Sequence, residues 1–191
     1  GQAGFILKGG DTVAYIDPYL TETPDGRRRF PPPVRPEAVR HANVVFASHE
    51  HLDHADGATL GPLMVASPHA TLVTSPQGRQ IALDADVADT RIVTPSLGQR
   101  AECAGLAYTA IPAMHGLDGR TGYQFELDEQ RRSRWMGFVI ELNGISLYHA
   151  GDTVVFPELL DAVRGTQPDI MMLPINGRDH YRERVGICLL Y

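Results

Sequence analysis

"NVVFASHEHLDHADGATLGPLMVAS", residues 43–67, decides the fold. The run "VVFA" is continuously apolar, as in a strand buried on both faces. It delivers the chain straight into a polar cluster. Positions 48–57 hold His49, His51 and His54 together with Glu50, Asp53 and Asp56. From Asp56 onward "DGATLGPLMVAS" reads as a helix that Pro62 shortens or kinks. A strand, a cluster of titratable side chains and a helix, in that order, form an α/β unit with its chemistry at the strand's end.

The spacing within the cluster carries the next step. His49 and His51 lie two apart, so in an extended segment both imidazoles point the same way and can grip one ion. Asp53 and His54 are adjacent, and a strand would send them to opposite faces. A turn must begin there, presenting the second pair toward a neighbouring position. H-x-H-x-D-H therefore suits two ions about 3.5 to 4 Å apart. The bland alternative is a solvated histidine-rich loop opening a helix, with Asp53 or Asp56 as the cap. Against it stand His115, in "PAMHG" (112–116), and Asp152, in "HAGD" (149–152), each just after an apolar strand. A carboxylate can bridge two cations with its two oxygens, and Gly151 permits the turn that presents it.

The rest of the chain repeats this layout. "FILKGGDTVAYIDP" (5–18) is two β-rich runs around Gly9-Gly10-Asp11, a hairpin signal, ending at Asp17-Pro18. The prolines of "DGRRRFPPPVRP" (25–36) make residues 18–36 a long loop. "TLVTS", "PQGRQIALD" and "RIVTP" alternate strand, helix and strand. "GLAYTAIPAMHG" (105–116) is a strand running into the loop with His115. In "MGFVIELNGISLYHAGD" (136–152) two runs flank Asn143-Gly144, the strongest short hairpin signal. "PELLDAVRG" has Pro at a helix start and Gly at its end, and "DIMMLPI" (169–175) reads as a further buried strand. The fold class is α/β, one domain over residues 1–191, with the polar clusters at one rim.

Composition excludes several function classes. The chain has 191 residues, 43% of them hydrophobic and 21% charged, as in a soluble globular domain. A net charge of -6 argues against nucleic acid as the main partner, because a phosphate backbone demands a broad basic surface. Cys103 and Cys188 make no disulfide framework and match no CxxC signature, so they fit buried thiols in a reducing compartment, the cytoplasm. No apolar run approaches the roughly 18 residues of a membrane span. The chain opens at Gly1 with a strand already under way, which suggests a domain continued beyond its ends.

"SHEHLDHADG", "PAMHG" and "YHAGDT", in this order, resemble the metallo-β-lactamase superfamily. That resemblance implies an αββα sandwich of two sheets between helices. His49, His51 and His115 would hold the first metal, Asp53 and His54 would belong to the second, and Asp152 would bridge. "GQAGF", "YIDPYLTE", "FPPP", "SPHA", "HAGDTV" and "LPINGRDHYR" are similar to the ascorbate-6-phosphate lactonase branch, the UlaG-like proteins. This implies hydrolysis of a lactone on a small anionic, phosphorylated sugar acid, with manganese as the ion. Zinc also suits imidazole ligands. The ion or ions would lower the pKa of bound water toward about 7, supply hydroxide and polarise the carbonyl.

Other residues gain roles by position. Asp53 is the candidate to orient the water or accept a proton, and with a single ion both Asp53 and His54 become acid-base groups. Asn176 and Arg178 follow "DIMMLPI"; guanidinium forks match phosphate oxygens, so this stretch holds an anionic substrate or is a solvated charged loop, and the resemblance implies substrate contact for Asn176 and Arg178. His180, Tyr181, Arg182 and Arg184 lie nearby. Asp17 could orient a ligand histidine from behind, or cap its loop, and His149 has the same two readings. His41 and His69 read as structural or exposed. Tyr19 and Arg27 to Arg29 would line the entrance or be solvated.

The pattern departs from the superfamily at one place. Its members generally carry one more histidine after a further helix and strand, and "ICLLY" at 187–191 has none. Either the sequence stops before that ligand or the protein lacks it; within residues 1–191 the second site is one ligand short, and a missing closing strand would leave an edge inviting a second copy. Two competing functions follow: phosphodiester or nucleic-acid cleavage at the same rim, and a metal-binding protein with impaired catalysis.

Overall fold

The computed structural model describes residues 4–23, 26, 28, 30–116 and 125–175. The chain divides into two compact units, Gly1–Thr94 and Pro95–Tyr191. Among the described residues each is built on a five-stranded mixed sheet.

In the first unit, strands β1 (Phe5–Gly9) and β2 (Thr12–Ile16) form the expected hairpin, turning at Gly10-Asp11. Strand β3 (Val44–Ala47) lies parallel to β2, and all four of its residues are buried. Helix α1 (Gly57–Ala66) then leads to β4 (Thr71–Thr74), and helix α2 (Pro76–Asp84) to the short β5 (Ile92–Val93). Parallel pairing of β3, β4 and β5 follows from these helical crossovers. The core joins Val45, Leu72, Leu60, Leu63 and Met64, each contributing about 1.5–3 kcal/mol by burial.

Local chemistry explains the helix limits. The Asp56 carboxylate accepts from the Ala58 N–H and caps α1; the Ser75 hydroxyl accepts from the Gly78 N–H and caps α2. Helix α1 runs through Pro62, and burial of its Leu60, Leu63 and Met64 offsets the lost backbone bond. The end of α2 presses on it so closely that a Cβ at Gly61 would stand 2.7 Å from the Ala85 carbonyl oxygen. Beyond the end of α1, the Arg91 guanidinium donates to the carbonyls of Met64 (2.8 Å), Ser67 (2.7 Å) and Ala70 (2.9 Å), satisfying acceptors a helix terminus leaves open. In the 18–36 loop Arg28 donates to the carbonyls of Tyr19, Thr21 and Phe30 and lies over the Tyr19 ring. It is a strut of that loop; Arg27 and Arg29 lie outside the described residues.

In the second unit, strands β6 (Arg100–Cys103), β7 (Leu106–Pro112), β8 (Met136–Leu142) and β9 (Ile145–His149) form an antiparallel meander. The β8–β9 hairpin turns on Asn143 (φ 52°) and Gly144 (φ 77°), the double positive φ that this dipeptide favours. Helix α3 (Pro157–Thr166) returns the chain to β10 (Ile170–Met172), parallel to β9. Three expectations are corrected here. Gly165 does not end α3: the helix continues to Thr166 and Gln167 takes the left-handed cap. Strand β10 is largely exposed, not buried, and it pairs with β9 alone among the described strands. Cys103 is half-buried on the short β6, while Cys188 lies outside the described residues.

Under α3, Tyr148 packs with Ile111, Val139, Phe156 and Leu159. Its hydroxyl is buried and meets no hydrogen-bond partner among the described residues, and burial pushes its pKa above the ordinary tyrosine value. An orphaned buried hydroxyl costs about 1–3 kcal/mol. Tyr148→Phe is therefore expected to raise the melting temperature by about 2–4 °C, at roughly 1 kcal/mol for a chain of this size. A lowered melting temperature in a thermal scan would contradict this packing. Among the described residues no helix is long and apolar enough to cross a membrane.

Candidate metal centre

The predicted ligands divide between the units: His49, His51, Asp53 and His54 in the first, His115 and Asp152 in the second. In the first unit β3 stops at Ala47, and residues 49–51 are bends, not an extended segment. The imidazoles of His49 and His51 still meet, edge to face with centroids 4.8 Å apart, so a loop brings them together where strand alternation was expected to. The turn foreseen at Asp53-His54 is present: the N–H groups of His54 and Ala55 both donate to the His51 carbonyl, at 2.9 and 2.8 Å. It swings His54 back over His49, with ring centroids 4.0 Å apart.

Behind these rings lies Asp17, at the end of β2. It is wholly buried and adopts φ 42° immediately before Pro18, a conformation that a non-glycine residue holds only when its surroundings impose it. Its N–H donates to the Phe46 carbonyl at 2.8 Å, and its carboxylate accepts from the Ser48 N–H (2.7 Å), the Ser48 hydroxyl (2.9 Å) and His54 Nδ1 (2.7 Å). An imidazole that donates from Nδ1 keeps its lone pair on Nε2, the state a metal requires. That same Nε2 lies 3.7 Å from an Asp53 carboxylate oxygen, and Asp53 is about one-third exposed. The donor chemistry of three imidazoles and a partly exposed carboxylate fits a divalent transition ion.

Asp56 has a different task. Besides capping α1, its second carboxylate oxygen accepts from the hydroxyls of Thr21 and Thr59, both at 2.7 Å. It ties the 18–36 loop to α1, so this acid of the cluster is structural.

In the second unit the loop after β7 and the loop after β9 are stitched together. The Met114 N–H donates to the Thr153 hydroxyl at 3.1 Å, and the Val154 N–H to the Met114 carbonyl at 2.8 Å. This sets the buried His115 against Asp152, with Nε2 3.4 Å from a carboxylate oxygen. Gly151 takes the left-handed φ of 60° that turns the chain there. The Trp135 indole packs on His115 with centroids 4.9 Å apart, and the Arg134 guanidinium lies 4.6 Å over the same indole. His149 is buried at the end of β9, opposite Phe138 on β8. Asn176, Arg178, His180, Tyr181, Arg182 and Arg184 lie outside the described residues.

Three residues of this neighbourhood escape sequence reading: Ser48, Thr153 and Trp135. Ser48 sits between a buried strand and the first histidine, and Trp135 is the chain's one tryptophan; those were the available signals.

Comparison with known proteins matches the description "Beta-lactamase superfamily domain" over residues 12–186. A UPF0173 metal-dependent hydrolase of Archaeoglobus fulgidus is 30% identical over 185 residues, spanning 95% of this chain and 70% of that protein. One from Opitutus terrae is 33% identical over 176 residues, spanning 92% and 70%. The crystal structure of an isothiocyanate hydrolase from Delia radicum gut bacteria superposes with a TM-score of 0.67 at 21% identity, covering 99% of this chain and 74% of that one.

Proposed function

The chain belongs to the beta-lactamase superfamily, among its metal-dependent hydrolases, and from that premise we propose that it opens a lactone or ester of a small anionic substrate. The observation that carries the proposal is the Asp17 carboxylate, buried without solvent and bonded to both Ser48 and His54. A solvated histidine-rich turn has no use for such a support. A group that holds metal ligands in one tautomer has one.

The ligands we assign are His49, His51 and His115 for a first ion, Asp53 and His54 for a second, and Asp152 as the bridge, on their order along the chain. Manganese and zinc are the ions that suit this set. A divalent ion held by these residues would supply a bound water with its pKa lowered toward about 7 and a Lewis acid for a carbonyl. The chain's own groups do the rest. Asp53 is the proposed group to orient the water or take its proton, a role its nearness to His54 and partial exposure support. Asn176 and Arg178 are the proposed holders of the substrate's anionic group. The sequence likeness of "YIDPYLTE", "FPPP" and "HAGDTV" to the ascorbate-6-phosphate lactonases supports a phosphorylated sugar lactone as the substrate class.

The test is turnover of a phosphorylated lactone beside bis-p-nitrophenyl phosphate and RNA, with and without chelator. The expected result is chelator-sensitive opening of the lactone and little action on the other two. Turnover of the phosphodiesters alone would overturn the lactone in favour of phosphodiester cleavage.

A further inference from the structure

Ser48 is wholly buried and is fixed at two points on Asp17. Its N–H donates to Oδ1 at 2.7 Å and its hydroxyl to Oδ2 at 2.9 Å. The same hydroxyl oxygen lies 3.0 Å from Nδ1 of His49 and 3.2 Å from Nδ1 of His54. Proton counting settles the direction of these contacts. A serine hydroxyl has one hydrogen, and an ionised carboxylate only accepts. With that hydrogen committed to Asp17, Ser48 Oγ offers lone pairs alone to the rings. The 3.0 Å contact is then a hydrogen bond only if Nδ1 of His49 carries the hydrogen.

We propose that Ser48 is the positioning residue for His49: it holds this imidazole as the Nδ1–H tautomer and so leaves the coordinating lone pair on Nε2. His54 reaches the same state by donating directly to Asp17. One buried carboxylate thus aligns two imidazoles, the second of them through a hydroxyl. The inference rests on the reading of His49 as a ligand. It explains why a hydroxyl residue stands between a fully apolar strand and the first histidine: alanine would break the relay.

The experiment reads the tautomer without metal. On 15N-histidine-labelled, chelator-treated protein at mildly alkaline pH, long-range 1H–15N correlation should show His49 as Nδ1–H in the parent chain. Ser48→Ala should shift it toward Nε2–H, and Ser48→Thr should keep it. Metal affinity, measured by competition with a chromophoric chelator, should fall about 10- to 100-fold in Ser48→Ala and recover in Ser48→Thr, the range for lost ligand-orienting contacts. An Nε2–H His49 in the parent chain overturns the inference whether or not the alanine variant folds. So does unchanged affinity in a folded Ser48→Ala. An Nδ1–H His49 in a protein that binds no metal would leave the tautomer assignment standing and sink the ligand reading instead.

Discussion

Replacing His51 by alanine is expected to cut turnover by more than about 100-fold, since losing contacts that merely orient a ligand already costs 10- to 100-fold. The melting temperature should hardly move. His51 is half-exposed, and its carbonyl, which accepts from His54 and Ala55, survives the change. Steady-state kinetics beside a thermal scan separate the two quantities. A variant with the parent's turnover would remove His51 from the ligand set, and with it the first ion as assigned.

Asp17→Asn should damage both stability and metal binding. The parent carboxylate accepts from the Ser48 N–H, the Ser48 hydroxyl and His54 Nδ1. An asparagine of the same shape presents an oxygen on one side and an NH2 on the other. With its oxygen toward the Ser48 N–H, the NH2 meets His54 Nδ1 and favours the tautomer that takes the lone pair off Nε2; turned the other way, the NH2 meets the Ser48 N–H, donor against donor, at about 1–3 kcal/mol for each group left unsatisfied. The left-handed backbone at position 17 remains acceptable to asparagine, so the loss isolates the carboxylate. We expect a destabilisation of about 2–3 kcal/mol by denaturant melts and a fall in metal affinity of about 10- to 100-fold. Wild-type affinity in a folded Asp17→Asn chain would show that this carboxylate supports the backbone and not the ligands.

The elements that the sequence makes legible are those whose local chemistry agrees with their packing. Asn143-Gly144 encloses its hairpin because those two residues accept the φ values the turn needs. "VVFA" becomes β3 because both its faces are buried, and Ser75-Pro76 opens α2 because cap and first-turn proline coincide there. Strand β6 is not legible. "RAEC" has no β-branched or aromatic residue; it pairs with β7, the next strand in the chain, and Arg100 forms an ion pair with Glu141 on β8, 41 residues away. Strand β10 misleads in the opposite sense: "IMM" is apolar enough for a core, yet it stays largely exposed.

The same division runs through the site. The residue types and order of "HEHLDH" announce metal chemistry, but the reason first drawn from the spacing was local, and the structure replaces it. Alternation along a strand does not align His49 and His51; bends do. Asp53 and Asp56 are indistinguishable as acids in the sequence. Thr21, 35 residues away, makes Asp56 a structural anchor, while Asp53 is left near His54. Ser48 could not be read ahead, because its role exists only once Asp17, 31 positions earlier, is folded against it.

The most direct test of the account is the metal content of the purified chain, by elemental mass spectrometry after exhaustive dialysis. The account predicts at least one equivalent of manganese or zinc per chain, removed by chelator together with activity and no longer retained by His49→Ala. A parent chain without stoichiometric metal that nevertheless turns over substrate, or a His49→Ala chain that keeps the parent's metal, would contradict it.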